Sequence, residues 1–160
     1  MRKVLVLTAL VVLSSIPAIA RTSDPVGFWS AGEGRSQIEI APCGDMLCGK
    51  IVWLSEPNDK KGNPKLDRRN PDSTLKTKPI LGLTILSELK PSSDRNDQWE
   101  GNVYNPEDGR TYSVYLRPND TSMEVEGCLA FLCRTQVWPR VQQDQQQQSQ
   151  QQNQQQSQQQ

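Results

Sequence analysis

The fold is decided by one stretch in the second half of the chain. It reads Gln98-Trp99-Glu100-Gly101-Asn102-Val103-Tyr104-Asn105-Pro106-Glu107-Asp108-Gly109-Arg110-Thr111-Tyr112-Ser113-Val114-Tyr115-Leu116. Two runs rich in aromatic and β-branched residues flank a turn in which Pro106 fixes one backbone angle and Gly109 supplies a positive φ. This pattern predicts a β-hairpin. Because side chains alternate along a strand, Tyr112 and Tyr115 face opposite sides, and only one of them points inward.

Further strand-like runs lie on both sides of this hairpin. They occupy residues 26–31, 35–40, 49–54, 122–127 and 134–138,. Residues 80–89 fit either a strand or a short helix. Seven or eight sequential strands make an all-β meander, and closing it on itself removes its two free edges. The sequence therefore predicts a small antiparallel up-and-down β-barrel.

A long segment interrupts the strand pattern. From Ser55 to Pro79 the chain is rich in Pro, Asn, Asp and Lys and has no apolar period. A connection of this length inside a small domain is usually a functional loop or a disordered one. We expect the part from Asn58 to Pro79 to lie at the mouth of the barrel.

The two ends of the chain differ from the middle. Arg2 and Lys3 precede an apolar run that ends before the small residues Ala18 to Ala20, which is the layout of a signal peptide over residues 1–20,. Residues 21–141 form the barrel domain, and residues 142–160, which are almost entirely glutamine, are predicted to be a disordered tail,. A periplasmic or secreted location follows.

The composition excludes several classes of site. The chain has 160 residues and no histidine, so it has no Ser-His or Cys-His catalytic pair and no imidazole zinc site,. Lys+Arg and Asp+Glu both number 18, a balance that indicates neither a nucleic-acid partner nor an anionic membrane surface,. The apolar run near the start is too short for a membrane span.

Four cysteines form two pairs with the same spacing, Cys43 with Cys48 and Cys128 with Cys133. An exported chain matures in an oxidising compartment, so disulfides are expected. Three connectivities exist. We favour the two local pairs, because a four-residue hairpin loop brings its flanking residues within disulfide reach. The rival is a four-thiolate zinc site.

Several motifs together resemble a known family. They are Asp67-x-x-Asn70-Pro71-Asp72-x-x-Leu75-Lys76-x-Lys78-Pro79-Ile80-Leu81-Gly82, Trp99-x-Gly101-x-Val103-Tyr104-x-Pro106-x-x-Gly109-x-x-Tyr112 and Trp138-x-Arg140. From Asp24 to about Val141 the chain resembles the exported bacterial proteins grouped as domain of unknown function 2147 (DUF2147). The resemblance implies a lipocalin-like or streptavidin-like barrel, bacterial origin and export, and no established activity. Lys76 and Lys78 stand where the family usually has arginines, which weakens bidentate anion recognition.

A second resemblance concerns how the barrel closes. Gly27-Phe28-Trp29 and the late Arg140 look like the calycin arrangement, in which a Gly-x-Trp tryptophan closes one end of the barrel under an arginine. The contact would be a cation–π interaction. The alternative is that Trp29 is an ordinary core residue.

Candidate ligand-binding residues fall in the long loop and on the aromatic strand positions. They are Trp53, Asp67, Asn70, Lys76, Lys78, Tyr104 and Tyr112,. The structural alternative is that Asp67 and Asn70 bond to the backbone, that the lysines are solvated and that the aromatic rings pack in the core. Glycoside hydrolysis by two carboxylates from Glu100, Asp67 and Asp72 is a minor alternative. No catalytic residue, metal ligand or cofactor is predicted.

Two functional hypotheses follow from these features. The first is a non-enzymatic exported barrel that binds a small, partly apolar ligand or an envelope component. The second is a structural or protein-interaction module of the cell envelope, with a packed barrel interior and an envelope protein as partner. A hollow or a filled interior distinguishes them.

Overall fold

The computed structural model describes residues 24–142 as an eight-stranded antiparallel meander. The strands are β1 (Gly27–Ala31), β2 (Ser36–Cys43), β3 (Met46–Leu54), β4 (Thr84–Pro91), β5 (Trp99–Asn105), β6 (Arg110–Pro118), β7 (Ser122–Leu129) and β8 (Leu132–Pro139). A short 3-10 helix, Ser73–Leu75, lies between β3 and β4. The predicted export segment, and the predicted tail beyond Gln142, lie outside the described residues and stay predictions.

Each strand pairs with the next one along the chain, so the all-β up-and-down prediction is confirmed. The segment 80–89, which the sequence left open, enters strand β4 at Thr84. β4 contains a bulge between Ser87 and Lys90, where Glu88 has a φ of 56°. A bulge shifts the side-chain alternation by one residue, which blurred the strand pattern in the sequence.

The sheet curls until its first and last strands almost meet. An isolated bridge joins Trp29 to Arg140, and the Val141 amide donates to the Phe28 carbonyl at 2.9 Å. The Arg140 guanidinium lies over the Trp29 ring, 4.1 Å from the ring centroid. It also donates to the Val26 carbonyl at 3.2 Å. The contact that the calycin resemblance implied is therefore present, and the result is a nearly closed barrel.

Gly27 leaves the space that this arginine needs. A Cβ at residue 27 would lie 2.7 Å from Nη1 of Arg140, and Gly27 has a φ of 131°. We expect Gly27→Ala to lower the free energy of unfolding by about 2 kcal/mol, because it adds a clash to an unfavourable backbone angle. Urea denaturation measures the loss.

Gly34→Ala is the matched control for this substitution. Gly34 has a φ of 84°, and no atom lies within 4 Å of the place that a Cβ would take, so an alanine there meets only the backbone strain. A loss at Gly27 no larger than the loss at Gly34 would contradict the role assigned to Arg140.

Apolar side chains fill the barrel interior. The largest buried ones are Trp29, Ile38, Ile40, Leu86, Leu89, Leu116, Met123 and Val114. Leu86 and Leu89 lie against Gly49 and Gly101, where even a Cβ would come within 2.6 Å and 2.9 Å of their side chains. Interiors packed in this way hold few voids larger than a water molecule. At Gly49 and Gly101 the core side chains are therefore in close contact with the barrel wall.

Both local disulfides are present, Cys43 to Cys48 and Cys128 to Cys133, so the predicted pairing is confirmed. The turns are tighter than predicted. The strands run through the cysteines, and only two residues separate β2 from β3 and β7 from β8. Gly44 and Ala130 make this possible with positive φ angles of 70° and 52°. The up-and-down topology places the two disulfides at opposite ends of the barrel, which excludes the four-thiolate zinc site.

The up-and-down topology also defines two barrel ends. The loop end carries the turn at residues 32–35, the segment 55–83, the turn at 106–109 and the turn at 130–131. The closure end carries the turns at 44–45, 92–98 and 119–121, together with Arg140. The long irregular segment is thus at a barrel mouth, as the sequence predicted. Its residues Ile80, Leu81 and Leu83 are partly buried and pack against the core.

Candidate functional site

Three of the predicted site residues come together at the loop end. The Asp67 carboxyl group accepts from the Tyr104 hydroxyl at 2.7 Å through Oδ1, and from Asn70 Nδ2 at 2.7 Å through Oδ2. Asp67 is 0% exposed. Because Asp67 is buried and both of its oxygens accept hydrogen bonds inside the protein, its carboxyl group holds the loop to strand β5. We call Asp67, Asn70 and Tyr104 the loop clamp.

The local sequence explains how the loop reaches this position. The Asn70 side chain accepts from the Asp72 amide at 2.9 Å, and Asp72 then accepts from the Thr74 amide and hydroxyl at 2.9 and 2.7 Å. These are Asx-type turns, in which a short polar side chain replaces a backbone acceptor. The hydrogen bonds from Thr74, side chain first and backbone second, hold the pKa of Asp72 below its usual value.

The loop also packs on the β5–β6 turn. A Cβ at Gly109 would overlap the carbonyl oxygen of Arg69, and Gly109 has a φ of 73°. Next to it, the Tyr112 hydroxyl donates to the Asp108 carboxylate. This hydrogen bond is the main reason that the pKa of Tyr112 is raised. Gly109 therefore lets the turn and the loop touch.

The remaining candidates do not join the loop clamp. Lys76 and Lys78 are exposed, and the structure uses the Lys78 backbone carbonyl, which accepts from the Asp67 amide at 2.8 Å. Trp53 is half-buried near the end of β3. Tyr112 shares a strand face with buried Val114, whereas Tyr115 lies on the opposite face. The ligand-binding role of all these residues stays a prediction.

The surroundings of Tyr104 in the loop clamp shift the pKa of its hydroxyl group. Burial first, and the hydrogen bond to Asp67 second, raise the pKa of Tyr104 from 10.0 to about 12. The folded protein therefore holds this proton more tightly than the unfolded chain. The associated stability is fully present below pH 10 and is lost as the pH rises from 10 to about 12,.

We expect the free energy of unfolding to fall by on the order of 2 kcal/mol across this interval through Tyr104 alone. Tyr104→Phe should remove that part of the pH dependence and leave the rest. Urea denaturation at stepped alkaline pH, with phenolate absorbance recorded in parallel, measures both. If the free energy of unfolding fell equally with pH in the phenylalanine variant and in the parent protein, folding would not raise the pKa of Tyr104.

A shallow groove of about 410 Å³ lies on the outer face of β4, β5 and β6. Its polar lining residues are Glu88, Lys90, Glu100, Asn102, Ser113 and Tyr115. Glu88 already accepts from Asn102 at 2.7 Å, and Glu100 accepts from Ser92 at 2.8 Å and pairs with Lys90 at 3.5 Å. Its two carboxylates are thus engaged with neighbouring side chains.

The carboxylates considered for hydrolysis make different hydrogen bonds. Asp67 is in the loop clamp, Asp72 caps the 3-10 helix and Glu100 lies in the outer groove. Glu126, Cys128 and Cys133 place potential metal-ligand atoms within 4.8 Å of one another. Both sulfurs are in the disulfide, however, so neither is available as a thiolate,.

Sequence reasoning missed the most exposed apolar surface of the described chain. Phe131 is 89% exposed and Leu132 is 67% exposed, at the tip of the β7–β8 hairpin, and Leu129, which pairs with Leu132, is 44% exposed. We call Leu129, Phe131 and Leu132 the apolar tip. The signal was visible in the sequence, because all four residues between Cys128 and Cys133 are apolar where a hairpin turn is normally polar.

Comparison with known proteins supplies one match. Residues 27–140 match the model of a family described as an uncharacterized protein conserved in bacteria, DUF2147. The chain belongs to the DUF2147 family. No curated protein and no solved structure matches it.

The DUF2147 motifs can now be placed on the structure. Asp67, Asn70 and Tyr104 form the loop clamp, Gly109 meets the loop backbone, and Arg140 covers Trp29. The motif residues in contact therefore hold the long loop and the barrel closure in place. The two disulfides indicate an oxidising, non-cytoplasmic location,. Within residues 24–142, no helix has the length and apolar character to cross a membrane.

Proposed function

We propose that this DUF2147 protein is an exported, non-enzymatic protein-interaction module of the cell envelope. It docks another polypeptide through the apolar tip of its β7–β8 hairpin. The observation that carries the proposal is the 89% exposure of Phe131, next to the 67% exposure of Leu132. Large apolar residues grouped on a surface mark interaction sites more often than they serve stability.

The disulfide makes this tip a suitable docking element. Cys128 and Cys133 join the two strands directly behind Phe131, so the hairpin keeps its shape without a partner. A preformed surface loses less conformational entropy on binding than a flexible loop does. Aromatic residues at such positions commonly dominate the binding energy.

The packed interior supports the same proposal against internal ligand binding. Leu86 and Leu89 are 0% exposed, and they leave no room for even a Cβ at Gly49 and Gly101. The loop clamp, which lies at the mouth where a ligand would enter, uses its own polar groups. A small ligand would therefore have to bind outside the core.

The absence of enzymatic activity is part of the proposal. The chain has no histidine. All four cysteines are in disulfides. The three carboxylates weighed for hydrolysis, Asp67, Asp72 and Glu100, each accept hydrogen bonds from neighbouring groups.

Photocrosslinking in the native envelope tests the proposal. A photoreactive amino acid at Phe131 should give a covalent adduct with a polypeptide, identified by mass spectrometry. Met46 is the matched control, because it lies beside the other disulfide at the opposite end of the barrel and is also exposed. Equal, background-level adducts at both positions would contradict the proposal.

A further inference from the structure

Positive charge is concentrated in one part of a chain whose overall charge is balanced. Residues 55–83 carry seven basic and four acidic side chains, whereas the rest of residues 24–142 carries eight basic and thirteen acidic ones. The even count over the whole chain therefore hides a basic segment on an acidic barrel. Because exposed charges act over a Debye length of about 8 Å, the local surplus decides what the loop end attracts.

The acidic side chains of this segment are already in use. Each of them accepts a hydrogen bond or forms an ion pair within the segment: Glu56, Asp59, Asp67 and Asp72. Four exposed basic side chains of the same segment form no ion pair with a described residue: Arg68, Arg69, Lys76 and Lys78. The segment therefore presents unneutralised positive charge to the solvent.

A further unpaired cation lies on the hairpin that carries the apolar tip. Strand pairing places Leu129, Leu132 and Arg134 on one face of this hairpin, because side chains two residues apart on a strand point to the same side,. Arg134 is exposed and has no ion pair within residues 24–142. Glu126, an acidic residue of β7, already pairs with Arg95 at 2.8 Å. The apolar tip thus has a free guanidinium group beside it.

Arg69 brings the basic segment close to this hairpin. Its carbonyl oxygen lies against Gly109 in the β5–β6 turn. Ser113 of β6 pairs with Cys128 of β7, so Leu129 lies beside the β6 position three residues after Gly109. With about 3.4 Å per residue and about 4.8 Å between strands, the Arg69 backbone is within roughly 15 Å of Leu129. A standard protein interface is about 30 Å across, so one partner can cover both.

We infer that the polypeptide that docks on the apolar tip is acidic and presents carboxylates to Arg69 and Arg134. The inference rests on the proposed function and adds the chemistry of the partner. Guanidinium groups bind carboxylates through two parallel hydrogen bonds. Charges around an apolar contact steer the encounter and exclude partners of the wrong sign. The apolar tip supplies the contact area, and the two arginines select an acidic segment.

A polypeptide fits this surface better than an anionic membrane does. The turns at residues 32–35 and 106–109 lie at the same end of the barrel and carry the exposed carboxylates of Glu33, Glu107 and Asp108. A flat anionic surface would approach these carboxylates as closely as it approaches the arginines, and like charges repel. A polypeptide can place its own carboxylates opposite the arginines alone.

Charge reversal tests the inference in the photocrosslinking assay at Phe131. Arg69→Glu combined with Arg134→Glu should lower the yield of adducts by about fivefold or more, because two attractions become repulsions. Lys50→Glu combined with Lys90→Glu is the matched control. It reverses as many exposed charges on β3 and β4, across the barrel from β7 and β8, and should leave the yield unchanged. Urea denaturation checks that both double variants are folded.

Two further readouts define the partner. The polypeptide segment found in the adduct should carry Asp or Glu within a few residues of the crosslinked position. In isolated envelopes, the adduct yield at Phe131 should fall between about 50 and 500 mM NaCl, because salt screens exposed charges. The purified mature chain should stay in the supernatant when vesicles that contain phosphatidylglycerol are sedimented.

The outcomes separate this inference from the proposed function. An unchanged adduct yield after reversal of Arg69 and Arg134, equal losses in both double variants, or a partner segment without acidic residues would overturn the inference and leave the proposed function standing. Sedimentation with the vesicles that disappears on the same reversal would assign the arginines to a membrane and would also overturn it. No adducts at Phe131 in the parent protein would remove both.

Discussion

Asp67→Ala should lower the free energy of unfolding by about 3 kcal/mol or more, one of the largest single effects in the described chain. The carboxyl group is 0% exposed and accepts from both Tyr104 and Asn70. Alanine would leave the buried Asn70 amide and the partly buried Tyr104 hydroxyl without this partner, and each unsatisfied buried group costs roughly 1 to 3 kcal/mol,. Urea denaturation at neutral pH measures the change.

A double-mutant cycle with Tyr104→Phe assigns the effect to the contact. If the hydrogen bond at 2.7 Å carries the stabilisation, the double variant should lose clearly less than the sum of the two single losses,. Strictly additive losses, or an Asp67→Ala variant as stable as the parent protein, would contradict the loop clamp. A ligand-binding role would instead leave stability nearly unchanged.

Phe131→Asp should abolish docking while leaving the barrel intact. A photoreactive probe at Leu129 is expected to lose its adducts by about tenfold or more, because a charge replaces the most exposed apolar anchor of the tip,. The free energy of unfolding should stay within about 0.5 kcal/mol of the parent value, as is usual for exposed positions.

Met46→Asp is the control for this charge substitution. It adds the same carboxylate beside the other disulfide and should leave the adducts at Leu129 unchanged. Equal losses from both substitutions would point to a general charge effect and contradict docking through the apolar tip.

The strands and the disulfides were predictable because their causes are local. Exposed and buried side chains alternate around Ser113 and Val114, and this pattern can be seen in adjacent residues of the sequence. The two cysteines of each disulfide are also close in sequence. The closure contact between Trp29 and Arg140 was anticipated only through a family resemblance. Nothing local links these two residues, which meet when the barrel closes.

The burial of the loop clamp could not be derived from local patterns. Asp67 and Tyr104 are 37 residues apart, and Asp67 lies in a segment with a polar composition. Its burial depends on how the long loop packs on the barrel. That packing requires a residue without a Cβ at position 109, because the Arg69 carbonyl oxygen occupies the place of the Cβ. The sequence analysis grouped Lys76 and Lys78 with Asp67 because all three lie in one motif. In the structure both lysines are exposed, whereas Asp67 is buried.

The free second edge of β8 was missed for a related reason. The sequence predicted a strand over residues 134–138, yet it did not show that β1 ends too early to pair with Leu132 to Val137, which among the described residues pair only with β7. The pattern from Arg134 to Val137 gave a partial signal, since it places one apolar residue after three polar ones. A strand with a buried face would alternate more regularly.

Native mass spectrometry of the mature chain, released gently from the envelope, tests the central claim most directly. The claim is that the barrel is filled and acts through its outer surface. The account predicts a mass that polypeptide with both disulfides formed accounts for in full, and no bound small molecule. A small molecule that accompanies the folded chain at a fixed ratio, and that is released only on unfolding, would contradict it.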